Sequence, residues 1–523
     1  MNVIPLFPRS RLGVLLVATI ALSACTVGPD YRAPEPSTPA AFNSLASDRA
    51  SRPQATVTNP GWWKSFNDPQ LNSLIDRAIA GNLSLQQAVL RIAGSRQQLN
   101  QARGAWFPSI NGQASAQRQQ LGLKGELESN GVYSQLDQVG GENDTDLSSA
   151  LNGLTKPVGL YQGSFDASWE LDLWGKVRRQ VEAAGAQQQE SLESRNDALV
   201  SLEAEVARTY LQLRGAQLIS QTLQTQIEVA QQTLELTQSQ QRNGLAPQMD
   251  VENARAQLHS LRAQLPQYES QIHQAMNGLA VLIGKPPGAL DAELAVPKAM
   301  PDLPKAVSVG LPSTLARRRP DVRQAEARLH EATANIGVSV AQLFPDFSLT
   351  GQFGMRNTEA SYLDNWSSHF YSYGASVSLP IFQGGRLVSG VKLARAEQAS
   401  AALGYRQTVL TALQDVENAL VSYRTDQQQV EGLDQTVDAL QNAFDLANDS
   451  YGKGLSSFID ALTAQRQLAQ AKQQAASARV QTSLDLVALY KALGGGWELY
   501  QNIQLPNYSV FGPAETGDTP PAG

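Results

Sequence analysis

The chain has 523 residues, 42% hydrophobic and 17% charged, with a net charge of −7 and one cysteine. That apolar content excludes a wholly disordered chain, and the weak charge without any basic run excludes a nucleic-acid partner. One cysteine excludes an internal disulfide and a multi-cysteine metal site.

Residues 1–24 read as a signal peptide. Arg9 and Arg11 precede the apolar run Leu12–Leu22, and Leu22-Ser23-Ala24 supplies small residues before a cleavage point. The Leu-Ser-Ala-Cys junction resembles a bacterial lipobox. That resemblance implies cleavage before Cys25 and covalent lipid on it, and Thr26 in place of Asp favours the outer membrane. No later run of 18 apolar residues exists, so no transmembrane helix is expected in the mature chain. Short alternating strands of a membrane β-barrel remain compatible.

Residues 25–60, rich in Pro, Ala, Ser and Thr, read as a lipidated extended tether. Trp62, Trp63 and Phe66 then read as packing anchors ahead of a helix from Leu71 to Ala105. Its residues Leu71, Leu74, Ile75 and Ala78 share one face. A strand over 109–118 alternates Ile110, Gly112, Ala114 and Ala116 with Asn111, Gln113 and Ser115. The long loop over 121–160 fits the extracellular side of a membrane strand pair. A second strand over 161–173 alternates Phe165, Ala167, Trp169, Leu171 and Leu173 with Asp166, Ser168, Glu170 and Asp172. One face is greasy and the other acidic, because successive side chains point to opposite faces.

From Gly175 a helical pattern runs without a turn signal to Asn243-Gly244, roughly 100 Å at 1.5 Å per residue. Leu199, Val206, Leu213, Ile227 and Leu234 share one heptad position; Leu202, Thr209, Ala216, Leu223 and Ala230 share another. A return helix from Pro247 keeps the period through Val251, Leu258, Leu265, Ile272 and Leu279, with a bend expected at Pro266. The hairpin 175–284 ends at Gly284 and Pro286-Pro287.

The pattern then recurs. Gln87-Ala88 and Phe107-Pro108 return as Gln324-Ala325 and Phe344-Pro345. Gly175, Gly244, Asp250 and Gly284 return as Gly385, Gly454, Asp460 and Gly494, each shifted by 210 positions. Residues 61–284 form the first repeat, 285–312 a linker and 313–494 the second repeat, with strands over 346–354 and 371–381 and a hairpin over 385–494. Residues 495–523 follow and end in a Pro-rich stretch that reads as a disordered tail. Four strands cannot close a barrel, and an open edge in lipid leaves backbone groups unsatisfied, so several copies must share one barrel.

No catalytic constellation is present. His259, His273, His330 and His369 form no HExxH pair, and there is no GxSxG elbow or phosphate loop. No enzyme activity, metal or cofactor is expected beyond the lipid on Cys25.

The lipobox, the segment Cys25-Thr26-Val27-Gly28-Pro29-Asp30-Tyr31, Trp62-Trp63 with Asp68-Pro69, and the tandem repeat together resemble the TolC-type outer-membrane factors. The match is to the lipoprotein branch that serves resistance-nodulation-division (NodT-like) tripartite efflux systems, and it covers nearly the whole mature chain. The resemblance implies a mixed α and β fold: a homotrimer with one twelve-stranded transmembrane β-barrel, four strands per chain. A long periplasmic α-helical barrel and a mixed equatorial domain continue it, with the chain from residue 495 as an equatorial return. It implies an exit channel for drugs or other small toxic compounds, lipid-anchored in the outer membrane and extending into the periplasm. Its partners are a periplasmic adaptor, or membrane fusion protein, and an inner-membrane transporter. Two other readings stay open on the residues: a duct for ABC-driven type I protein secretion, and a non-spanning periplasmic coiled-coil protein. The lipobox weighs against the first and the four alternating strands against the second.

In the family the hairpin turns close the resting pore at the periplasmic tip. Matched residue by residue, Asp460 falls on an acid at the constriction and Asp250 on its partner in the first hairpin. Tyr451 falls on a tyrosine that bonds between neighbouring hairpins, and Ile459 on an apolar ring position. Thr463 departs from the acid of many members and Ser456 from their Arg. An electrostatic reading competes for Asp250 and Asp460, since both sit in first turns of helices, where a carboxylate favours the dipole by about 0.3–1 kcal/mol. In the barrel, Asp166, Glu170, Asp172 and Asp346 are expected to face the lumen and favour cations, with Lys176, Arg178, Arg179 and Arg386 partly cancelling them.

Overall fold

The computed structural model describes residues 26–35, 38–44, 51–53, 60–120, 122–132, 156–304, 307–508 and 514–515. The signal peptide, Cys25, most of the loop between the first two strands and most of the C-terminal tail lie outside the described residues. In chain order the main elements are helices α1 (Pro69–Gly81) and α2 (Leu83–Gly104), strands β1 (Ser109–Gln119) and β2 (Val158–Glu170), and helices α3 (Lys176–Arg242), α4 (Gln248–Arg262) and α5 (Leu265–Leu282). The second half supplies α6 (Pro320–Ala341), β3 (Asp346–Asn357), β4 (His369–Ser378), α7 (Arg386–Gly452) and α8 (Phe458–Ala492). The helices α3 and α7 have 67 residues each, about 100 Å of helix.

Several boundaries differ from the sequence expectation. The helix expected from Leu71 breaks at Asn82, whose side-chain oxygen accepts the Leu85 N–H at 3.0 Å while its amide donates to the Leu282 carbonyl at 2.9 Å. Asn82 therefore starts α2 as a cap. The return helix of the first hairpin is two helices, α4 and α5, with Pro266 in the first turn of α5, where its missing N–H costs nothing. Strand β2 ends at Glu170 and β4 at Ser378, short of Leu173 and Ile381.

Two compact units divide the chain. One comprises Met1–Tyr31, Gln98–Ala184 and Ala332–Glu397 and holds the four-stranded sheet found among the described residues. Its order is β1-β2-β3-β4, antiparallel throughout. The other comprises Arg32–Gln97, Gly185–Glu331 and Gln398–Gly523 and holds the apolar core. Trp62, Trp63 and Phe66 are each 1% exposed there, and Trp62 stacks on Tyr490 at 5.1 Å. Leu199, Val206 and Leu213 of the expected seam are fully buried in the same cluster. The heptad pattern of α3 is thus spent on packing. A short parallel pair, Ser51–Pro53 with Val307–Val309, lies in this unit too. Among the described residues no helix is long and apolar enough to cross a membrane.

Candidate channel wall and gate

Strand register decides what each face of the sheet presents. Phe165 lies opposite Gly112 on one side and Phe353 on the other, and Phe353 lies opposite Tyr371. Because side chains alternate, this register puts Ile110, Phe165, Trp169, Leu349, Phe353, Tyr371, Tyr373 and Val377 on one face. All of them are exposed, from 37% at Trp169 to 85% at Tyr373. An exposed apolar surface spanning four strands is not what water tolerates, and strands of 10–13 residues match the span of a bilayer. The opposite face carries Asn111, Gln113, Ser164, Asp166, Ser168, Ser348, Thr350, Gln352, Ser372 and Ser376.

Aromatic residues mark both ends of the strands. Trp169 donates its indole N–H to the Trp106 carbonyl at 3.0 Å, and Trp174 stacks on Phe344 at 4.8 Å while donating to the Pro345 carbonyl at 2.8 Å. At the other end Trp366 stacks on His369 at 4.7 Å, and Tyr362 and Trp366 are exposed. Such girdles suit the two membrane interfaces. Sequence reasoning missed them, although Trp106-Phe107 and Trp366 flank the strands directly.

The four acids expected in the lumen fall into three environments. Asp166 and Asp346 occupy the polar face, Asp166 opposite Gln352 and Asp346 opposite Ser378. Asp166 accepts from the Ser164 hydroxyl at 3.3 Å. Glu170 shares that face, but its carboxylate pairs with Lys176 at 2.9 Å. Asp172 corrects the expectation. It lies beyond β2, and its carboxylate accepts the N–H groups of Val177 at 3.0 Å and Arg178 at 2.9 Å. It caps α3, whose first N–H groups have no partner inside the helix.

The two hairpin turns have the same geometry. Gly244 and Gly454 take φ of 71° and 70°, a left-handed conformation that a Cβ disfavours. Leu245 N–H donates to the Gln240 carbonyl at 2.8 Å and Leu455 N–H to the Ser450 carbonyl at 2.8 Å, the long bond that closes a Schellman turn. The following acids differ. Asp460 is exposed, and its carboxylate accepts both the Ser457 N–H at 3.2 Å and the Ser457 hydroxyl at 2.7 Å. Asp250 is half-buried, and burial raises its pKa above the usual range.

Tyr451 lies near Thr237 and Asp250 of the first hairpin. It is 7% exposed, its ring centroid 5.4 Å from that of Phe458. Burial pushes its phenol up; the Thr237 hydroxyl opposes this and the Asp250 carboxylate adds to it. Among the described residues no partner meets the Tyr451 hydroxyl in full hydrogen-bond geometry. Ile459 is 54% exposed, and Thr463 donates its hydroxyl to the Ile459 carbonyl at 2.6 Å. One apolar cluster joins the hairpins: Leu223, Ala230, Leu234, Val251, Ala254, Leu258 and Leu261 of the first with Tyr451, Phe458, Ala461 and Leu462 of the second.

The chain is similar to known proteins in sequence and in fold. The family model described as outer membrane efflux protein matches residues 74–285 and 311–495. The chain is 30% identical to the antibiotic efflux pump outer membrane protein ArpC of Pseudomonas putida, over 92% of this chain and 95% of that one. It is 31% identical to the outer membrane protein OprJ of Pseudomonas aeruginosa, over 94% and 97%. The solved outer-membrane channel OprN superposes with a TM-score of 0.80 at 32% identity, covering 91% of this chain and all of that one (100%).

Proposed function

The chain belongs to the outer membrane efflux protein family, and from that premise we propose how it conducts. It is an outer-membrane efflux channel protein that reaches into the periplasm; the family is one of channels, not of enzymes. Three copies close one twelve-stranded barrel, the free edge of β1 in each copy pairing with the free edge of β4 in the next. The observation that carries this reading is the sheet itself, four strands with one continuous exposed apolar face and two edges that no other strand pairs among the described residues. Such a sheet is stable in lipid only when closed.

The long helices continue the duct through the periplasm, where an adaptor and an inner-membrane resistance-nodulation-division transporter deliver small toxic compounds. The channel adds no energy; it conducts what the pump exports. Lipid on Cys25 anchors each copy. Asp250 and Asp460 restrict the pore at the hairpin turns, with Ile459 and Thr463 on the exposed side of the second hairpin and Tyr451 holding the two hairpins together.

Two measurements test the reading. The purified protein should run as a trimer in detergent that heating dissociates, and in a planar bilayer Asp460→Ala should raise single-channel conductance or change ion selectivity. A monomer in the outer-membrane fraction refutes the shared barrel, and an unchanged conductance refutes the gate.

A further inference from the structure

The residues that follow the lipobox cysteine are fitted to the sheet-bearing unit. Val27 N–H donates to the Trp174 carbonyl at 3.0 Å. Gly28, at φ +92°, approaches α6 so closely that a Cβ on it would lie 2.6 Å from Gly337 Cα. Gly337 is hemmed in on another side, since a Cβ there would lie 2.7 Å from Arg179 Cγ. A Cβ on Gly175 would lie 2.6 Å from the Thr26 methyl. Three glycines thus leave room for one short segment and for the arginine stem beside it.

Charge completes the fit. Arg179 is 4% exposed. Its guanidinium donates to Asp30 Oδ1 at 2.6 Å and to Glu182 Oε2 at 2.7 Å. A polar linker needs no close backbone approach and no buried arginine; a segment that must hold its place does. The place is the junction where β2 has ended and α3 begins, beside the aromatic girdle of Trp174 and Phe344.

We propose that residues 26–31 are a clamp that couples the acyl anchor directly to the sheet–helix junction. In it Asp30 and Arg179 act as positioning residues, and Gly28 and Gly337 allow the close fit. The inference rests on lipid attachment at Cys25, as proposed above. The anchor's pull toward the bilayer then acts on the end of the barrel wall.

The test uses the full chain, matured in cells and reconstituted in phosphatidylethanolamine–phosphatidylglycerol vesicles, with a nitroxide on Pro29→Cys. Mass spectrometry counts acyl groups and nitroxides. One nitroxide and an acylated N-terminus are expected, with a motionally restricted spectrum. Asp30→Asn, which alters an exposed carboxylate, should at least halve the restricted fraction, and Gly337→Val should abolish it. Acylation and the heat-dissociable trimer should be unchanged in Asp30→Asn. A mobile label in the otherwise native chain, or a spectrum that neither variant moves, overturns the clamp. Two nitroxides and no acyl group overturn the anchor reading alone; the same label in a Cys25→Ser background then still decides whether the segment is docked.

Discussion

Replacing Phe165 by arginine puts the facing of the sheet to a quantitative test. Phe165 lies near the middle of β2, is 65% exposed, and stands between Gly112 and Phe353 on the apolar face. An arginine facing lipid near the bilayer midplane costs about 2–4 kcal/mol, so three copies would cost a trimer about 6–12 kcal/mol. Gln352→Arg is the matched control. It lies in the neighbouring strand directly opposite Asp166 on the polar face, where a new guanidinium meets a carboxylate and water, and its cost should be within about 0.5 kcal/mol. Phe165→Leu separates lost bulk from added charge and should cost under about 1.5 kcal/mol. The assay is urea-dependent folding into thin-bilayer vesicles, read by tryptophan fluorescence and by the heat-dissociable band. Equal midpoints for Phe165→Arg and Gln352→Arg, or a lower midpoint for the second, would refute the assignment of faces.

Other expectations address stability and conduction. The Asp485 pKa is raised to about 6 by burial and by the neighbouring Asp426 carboxylate, with Gln481 opposing. Its folded pKa lies above the unfolded value. The stability it contributes is complete below pH 3.8 and disappears as pH rises through about 6. Asp485→Asn should therefore raise Tm at pH 7.5 more than at pH 4.5; equal shifts would refute this linkage. Tyr210 is fully buried and donates to Asp68 Oδ2 at 2.6 Å, so Tyr210→Phe should cost about 1.5–3 kcal/mol in urea unfolding. Reversal potentials in a salt gradient should show cation preference that weakens in Asp166→Asn and persists in Asp172→Asn, because Asp172 is occupied as a helix cap. Anion preference in the unaltered protein would refute the lumen assignment.

Periodicity made much of this molecule legible. The alternation around Phe165 and the heptads through Leu199, Val206 and Leu213 are imposed by backbone geometry, so they survive in one sequence without any partner being known. The repeat was legible for the same reason: Gly244 and Gly454 are needed wherever the chain turns left-handed. What escaped the sequence was decided by competition for hydrogen bonds. Asp172 continues the alternation of β2 perfectly, yet the unpaired N–H groups of α3 claim its carboxylate. Asn82 interrupts an unbroken helical pattern because it can cap one helix and bind the Leu282 carbonyl at once. The docking of residues 26–31 was hidden in a composition that reads as tether, since Gly28 and Gly337 lie far apart in the chain and show their fit only once folded.

The apolar cluster at the turns limits how the proposed gate can open. Tyr451, Phe458 and Leu462 of the second hairpin are 7%, 2% and 1% exposed, packed in one cluster with Leu234, Val251 and Leu258 of the first. Pulling the hairpins apart would uncover those three side chains, at about 1.5–3 kcal/mol each, or about 5–9 kcal/mol per chain. A partner can shift the equilibrium only by its difference in affinity for the two states, and coupling energies are typically about 1–3 kcal/mol. Separation of the hairpins is therefore too costly to be the opening motion. A rotation that carries the cluster as a body is not, because it keeps those side chains covered. The Tyr451 hydroxyl faces Thr237 and Asp250 without a full hydrogen bond, and Asp460 spends its carboxylate on Ser457 within its own hairpin. In the proposed trimer the contacts left to change on opening would be those between neighbouring copies, where the proposed adaptor would act.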